Sequence, residues 1–123
     1  MRAILLVDHG SRAAEANAVV ERIAEAVGRR REDAIVEVAH MELAEPSIAA
    51  ALARCAARGA RDVVVCPYFL GPGRHSSTDI PKLVDEARAS HPGLRVAIAE
   101  PLGFDERLVE LVLARADAAV SAE

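Results

Sequence analysis

Apolar positions recur along this chain in two alternating rhythms. Short runs rich in β-branched residues stand at Ala3–Val7, Ile35–Ala39, Val63–Tyr68 and Leu94–Ala99, with the length and composition of buried strands. After each run the spacing becomes helical. Val19, Val20, Ile23, Ala24 and Val27 recur on one face, as do Ile48, Leu52 and Cys55, then Ile80, Val84 and Ala87, then Leu108, Leu111, Val112 and Arg115. Gly59 follows the second helical stretch as a C-cap, and Pro92-Gly93 makes a turn before the fourth run. A βαβαβαβα order predicts a parallel four-stranded sheet covered by helices on both faces, a three-layer αβα protein of the α/β class. Residues 1–123 read as one domain, without linker, repeat or low-complexity tract.

The unusual residues are not spread evenly. Asp8 to Arg12 follow the first run, His40 to Pro46 the second, Pro67 to Asp79 the third and Glu100 to Asp105 the fourth. The opposite connections, around Gly28–Asp33, Gly59–Asp62 and Ser90–Gly93, hold only charges and turn residues. Loops that follow parallel strands gather along one sheet edge, where ligands bind in open α/β folds. Chemistry therefore concentrates at the C-terminal edge.

Composition narrows the partners. The formal charge of −4 argues against nucleic acid, although nearly all the positive charge is arginine. Arg29-Arg30-Arg31 is the only basic cluster and reads as a solvated turn. Cys55 and Cys66 form no CxxC pair, so neither a zinc knuckle nor an iron–sulfur framework is visible, and both read as buried, reduced thiols. No apolar stretch approaches the roughly 20 residues of a membrane span, and residues 1–7 read as a strand rather than a leader. A soluble protein of the cytoplasm or of a compartment like the plastid stroma is expected, with the cytoplasm preferred.

His9 and His75 carry the sharpest signal, for the predicted topology brings the loops that hold them to one edge. Imidazole suits iron, cobalt, nickel and zinc, so the pair suggests a metal site. Ser11 is placed to cap the first helix, whose unpaired N–H groups also suit an anion. Gly71 and Gly73, between Pro67, Pro72 and His75, permit a positive φ or close approach to a flat ligand, and Arg74 can hold a carboxylate. Asp79 and Pro81 start the third helix; Asp79 is a helix-start charge or a catalytic group. Glu42 and Glu45 are helix-start charges or, beside two imidazoles, ligands or proton acceptors, and Pro46 fits the first turn of the second helix. His40 either points into the core or lies beneath the site, and is not counted as a ligand. His91, at the wrong edge, is a turn residue.

Four segments together resemble the small sirohydrochlorin chelatases, the short CbiX and SirB type of class II chelatase: Asp-His-Gly-Ser-Arg at 8–12, Met-Glu-Leu-Ala-Glu-Pro-Ser at 41–47, Pro-Tyr-Phe-Leu-Gly-Pro-Gly-Arg-His at 67–75 with Asp-Ile-Pro at 79–81, and Glu-Pro-Leu-Gly at 100–103. The first and third are closest in wording to the SirB ferrochelatases of sirohaem synthesis. The resemblance implies a flavodoxin-like, chelatase-like fold and insertion of a divalent metal into sirohydrochlorin, with Fe²⁺ first and Co²⁺ or Ni²⁺ as alternatives. It implies His9 and His75 as the metal pair, and Ser11, Gly71, Gly73 and the region of Glu42 and Glu45 near the tetrapyrrole. Some relatives carry a His-rich insertion, others a cysteine motif for an iron–sulfur cluster, and this chain has neither. Longer relatives fuse two units in tandem; this chain has one.

Physical chemistry makes that reaction intelligible. The ring is flat and polyanionic. Insertion must strip water from M²⁺, present it to the ring nitrogens and remove two pyrrole protons. Neutral imidazole, with a reference pKa of ~6.5, serves both ends of that task, and two protein ligands leave coordination positions open. Arg12 or Arg74 and helix-start N–H groups can hold ring carboxylates. The metal is a substrate, so no permanent cofactor is expected. Four strands at ~4.8 Å spacing expose an edge of about 15–20 Å, one wall for such a ring; a homodimer with facing sites is expected, its contact the apolar surface of the first or fourth helix. The competing readings are a flavin- or phosphate-binding module, which lacks a Ser/Thr/Gly-rich loop after the first strand; a metal carrier that never meets a tetrapyrrole; and a two-histidine hydrolase, which lacks a nucleophile constellation.

Overall fold

The computed structural model describes residues 1–71, 73 and 78–121. Its elements alternate as expected: β1 (Arg2–Asp8), α1 (Ala14–Arg30), β2 (Ala34–His40), α2 (Ile48–Ala57), β3 (Asp62–Pro67), α3 (Ile80–Arg88), β4 (Arg95–Ile98) and α4 (Glu106–Ser121). The strands form one parallel sheet in the order β2-β1-β3-β4. The chain steps outward from β1 to β2, then returns past β1 to β3, so the crevice of the sheet opens at the ends of β1 and its neighbours. β1 and β2 each run one residue further at both ends than the apolar runs alone suggest, which makes Asp8 and His40 strand residues.

Alternation divides each strand between two faces. On one, Ala3, Leu5, Val7, Ile35, Val63 and Val65 pack against Ile48, Leu52 and Cys55 of α2 and Ile80 and Val84 of α3. On the other, Leu6 packs against Val20 and Ala24 of α1, with Ile4, Val36, Val38 and Tyr68 around them. The helical stripes of α2 and α3 thus face the sheet as the spacing predicts. In α1 only Val20 and Ala24 are buried; Val19 and Ile23 lie on an exposed flank. α4 departs furthest from expectation. It has no buried residue and no substantial packing on any strand, so the second face is roofed by α1 alone over β1 and β2. Cys66, expected in the core, is accordingly only half-buried, because its position on β3 belongs to the unroofed part.

Helix ends follow local chemistry. Ser47 caps α2, its Oγ accepting from the Ala50 N–H at 3.1 Å. Pro46 therefore precedes the cap rather than entering the first turn. At the other end Gly59 takes φ +100°; its N–H donates to the Ala56 carbonyl and that of Ala60 to Cys55, both at 3.0 Å, a Schellman closure. α1 is capped differently from expectation: its N-cap is Ala13, with no side-chain bond. Ser11 sits two residues earlier, its Oγ accepting from the Ala13 N–H at 3.0 Å, and Asn17 of α1 clasps the Ser11 backbone from both sides at 2.9 and 2.7 Å.

Burial pushes the Cys55 thiol up to about 11, with the negative charge of Glu37 adding to the effect. The unfolded thiol ionises near the ordinary value of 9.0, so the unfolded chain loses its proton first as pH rises, and folding stability falls between about pH 9 and 11. Urea denaturation at pH 8 and pH 10.5 should show a smaller alkaline loss in Cys55→Ala than in the parent. Equal losses would mean that another group controls it.

Candidate functional site

The site begins with a backbone feature. Pairing between β1 and β2 continues past both strands: the Met41 N–H donates to the Asp8 carbonyl at 3.0 Å and the Glu42 N–H to the His9 carbonyl at 3.1 Å. The loops after β1 and β2 are thus held side by side for two further residues. The chain then turns at Gly10, φ +95°, where a Cβ would lie 1.9 Å from the Glu42 carbonyl oxygen. Only glycine fits there, for conformation and for space alike.

This pairing sets His9 against Glu42, with Nε2 3.1 Å from Oε1. Both side chains are accessible, 42% and 55% exposed, so a ligand reaches them from solvent. The other ring nitrogen, Nδ1, lies 3.3 Å from the Gly10 carbonyl oxygen. Two acceptors thus flank one ring, and a neutral imidazole has a single N–H to give. With Nδ1–H donating to Gly10, Nε2 presents a lone pair beside the Glu42 carboxylate. That is the arrangement of a metal-binding histidine oriented through its far nitrogen by a backbone carbonyl. A divalent ion held by both Nε2 and Oε1 would sit between that lone pair and the carboxylate. No group of three His, Cys, Asp or Glu donors converges among the described residues; His75, the second expected ligand, and Arg74 lie outside them.

The two glutamates separate. Glu42 faces His9. Glu45 turns away, its Oε2 accepting from the Ser47 N–H at 3.1 Å at the start of α2, which favours the helix-start alternative. Ser11 and Arg12 remain at the edge, Ser11 half-buried and Arg12 exposed. Gly71 and Gly73 are exposed, have no positive φ and would accept a Cβ without contact among the described residues; at this edge Gly10 takes the positive φ instead. Asp79 ends up in the N-cap position of α3 and, with Met41, Glu42, Lys82, Leu83 and Glu86, lines a cavity of about 350 Å³ beside the site. A groove of about 670 Å³ runs along the outer edge of β2 between α1 and α2, away from His9. There Arg54 and Arg58 engage Glu37, at 3.8 and 2.7 Å.

One functional element was hidden in the sequence. Asp8 and His40 are register partners at the ends of β1 and β2, and His40 Nδ1 lies 2.5 Å from Asp8 Oδ1. His40 is buried and its Nε2 has no hydrogen-bond partner among the described residues. It belongs to the core alternative, not to the ligand set, but the pair ties together the two strand ends that deliver His9 and Glu42. Strand register would have revealed it; spacing in one sequence does not.

The fold and site define a small α/β protein with a histidine–carboxylate pair open to solvent at the C-terminal edge of an open parallel sheet. The CbiX family model matches residues 3–119, and the chain belongs to the CbiX family. It is 46% identical to a protein of Arabidopsis thaliana named sirohydrochlorin ferrochelatase, chloroplastic, over 89% of this chain and 48% of the relative. It is 36% identical to a sirohydrochlorin cobaltochelatase of Methanopyrus kandleri, over the whole of both chains. The structure of the sirohydrochlorin chelatase SirB of Bacillus subtilis subspecies spizizenii in complex with cobalt superposes with a TM-score of 0.89 at 31% identity, covering 95% of this chain and 50% of that one. The chain therefore spans about half the length of the plant and Bacillus relatives and the full length of the archaeal one.

Two variants test this architecture. Gly10→Ala should push the loop off Glu42 and destabilise the protein by about 1–3 kcal/mol in urea denaturation; a parental midpoint would contradict the contact. His40→Ala, which strips the Asp8 carboxylate of its partner, should cost about 1–3 kcal/mol in urea denaturation. An unchanged midpoint would mean that the pair carries no stability.

Proposed function

We propose that this chain is a sirohydrochlorin chelatase, inserting a divalent metal ion into the macrocycle at the C-terminal sheet edge. The observation that carries the reading is the His9 Nε2–Glu42 Oε1 separation of 3.1 Å, with Nδ1 engaged by the Gly10 carbonyl. That geometry offers M²⁺ one neutral nitrogen and one anionic oxygen and leaves most of its coordination sphere for ring nitrogens. His75 is the second metal ligand in this proposal. As the ring takes the ion, two pyrrole protons depart; the ligands freed in the same step, His9 and Glu42, are the nearest acceptors and pass the protons to solvent. Arg12, Arg74, Ser11 and the Gly71–Gly73 segment hold peripheral carboxylates. Glu45 acts by steadying the start of α2.

Fe²⁺ is the metal we favour, on the wording of the motifs and the likeness to a protein named a ferrochelatase. Co²⁺ is the alternative, favoured by the likeness to a protein named a cobaltochelatase, and Ni²⁺ follows from the same donor set. The metal is consumed, and no resident cofactor is invoked. We take residues 1–123 as a single catalytic unit and a homodimer as its working form, since one sheet edge supplies one wall for the ring. The free thiols Cys55 and Cys66 suit a reducing compartment, the cytoplasm in this proposal. No described helix is long and apolar enough to cross a membrane.

Anaerobic incubation of the protein with sirohydrochlorin and Fe²⁺, Co²⁺ or Ni²⁺, followed by visible absorption, tests the reading. His9→Ala should lower the initial rate by at least about 100-fold, and Glu42→Gln by about 10-fold or more, both with parental circular dichroism. Absence of insertion with every metal would overturn the chelatase assignment. A folded His9→Ala protein with parental turnover at limiting metal would remove His9 from the mechanism.

A further inference from the structure

Leu43 stands in the left-handed region, at φ +68°, where a residue other than glycine is uncommon. It follows Glu42 directly. Its side chain is 51% exposed, so burial of that side chain does not explain the conformation. Such a backbone persists only where neighbouring contacts over-determine it, and strain of this kind gathers at functional sites.

The contacts that hold Leu43 meet at one residue. His40 precedes the segment 41–46 and also closes it, for its backbone N–H donates to the Pro46 carbonyl at 2.8 Å. Its imidazole Nδ1–H donates to Asp8 Oδ1 at 2.5 Å, which fastens the start of the segment to β1. Its Cβ lies under Gly10, 3.1 Å from where a Cβ there would stand, beside the Glu42 carbonyl. His40 thus holds both ends of a six-residue loop and meets the turn on which that loop presses. Relaxing Leu43 would rotate the 42–43 peptide off Gly10. The Glu42 carboxylate would then leave its position 3.1 Å from His9 Nε2.

Core packing alone does not account for a histidine at this position. The residue is 1% exposed, and its Nε2 has no partner among the described residues, an arrangement that costs stability. An apolar side chain of similar volume would fill the space without that cost. It would not serve Asp8, which needs a donor where Nδ1 stands.

We infer that His40 is a positioning residue for metal capture: by its bond to Asp8 and its closure of the segment 41–46 it holds Leu43 in its strained conformation and keeps the Glu42 carboxylate on His9. His40 touches neither metal nor ring and acts through Glu42 and His9. The inference rests on the metal site of the proposed function and names the residue that sets its affinity. A carboxylate released from this restraint would have to be ordered again whenever an ion arrived, at a cost in affinity.

Substitutions of similar size separate positioning from packing. His40→Leu keeps the volume and removes the donor, whereas His40→Asn places an amide nitrogen where Nδ1 stood. Asp8→Ala breaks the same bond from β1, and Asp8→Asn keeps an acceptor without the charge. Each full chain is titrated with Co²⁺ in the absence of the ring, followed by visible absorption. Hydrogen exchange of the Met41 and Glu42 amides and steady-state metal insertion are measured beside it. His40→Leu and Asp8→Ala should each raise the Kd for Co²⁺ and the KM for metal by about 10-fold, with a smaller fall in kcat. Their Met41 and Glu42 amides should exchange faster while the core amide of Val65 stays protected. His40→Asn and Asp8→Asn should stay near the parental values. Leu43→Gly, which takes a positive φ without strain, should recover most of the affinity lost in the His40→Leu or Asp8→Ala chain. If His40→Leu does not fold, the Asp8 pair carries the same comparison. A parental Kd in folded His40→Leu or Asp8→Ala would overturn the inference. So would a His40→Asn protein as weak as His40→Leu, a fall in kcat at unchanged KM, no recovery with Leu43→Gly, or a parental protein that binds no Co²⁺. Failure to insert metal in a protein that binds Co²⁺ and shows these shifts would count against the chelatase reading alone.

Discussion

Two backbone hydrogen bonds beyond the end of the sheet organise this protein's chemistry. By donating to the Asp8 and His9 carbonyls, the Met41 and Glu42 N–H groups extend the β1–β2 ladder into what would otherwise be two independent loops. A loop residue held only by its own turn has conformational freedom to lose before it can act. His9 and Glu42 have much less, because their backbones are already paired. The contact requires the Glu42 carbonyl to press against Gly10 where any Cβ would collide. Beneath it the Asp8–His40 pair locks the same two strand ends through side chains.

The rest of the fold can be seen as support for that edge. α2 and α3 press on one face of the sheet through Leu52, Cys55, Ile80 and Val84, all buried, and α3 begins at the rim of the cavity beside Glu42. A site built at strand ends inherits the rigidity of the strands, while its exposed side chains remain open to solvent. The opposite face is treated differently. α1 covers half of it, and α4, which order alone would assign to the other half, buries none of its residues.

Much of this was legible in the residues. The four strands and four helices follow from two periodicities, and strand ends moved by only a residue or so when backbone pairing was known. That the chemistry gathers at one edge follows from parallel order. Reading individual roles was harder. Glu42 and Glu45 are three residues apart and chemically alike, yet one meets His9 and the other the start of α2. Ser11 resembled a helix cap, but α1 begins two residues too late for it. Gly71 and Gly73 stand in a loop that suggests a positive φ, which Gly10 takes instead. In each case local chemistry permitted several partners, and the partner was chosen by a contact distant in sequence.

By itself, then, the amino-acid order determined which segments become strands and helices, which edge of the sheet holds the polar side chains, and that His9 belongs there. These are consequences of hydrophobic period and of the fixed direction of parallel crossovers, both local or topological. Tertiary structure alone decided that Asp8 meets His40, that Glu42 rather than Glu45 meets His9, and that α4 leaves the sheet instead of covering it. Those outcomes depend on strand register and on the direction in which a hydrogen-bonded connector releases the chain, and neither is encoded in the spacing of residues along a single segment.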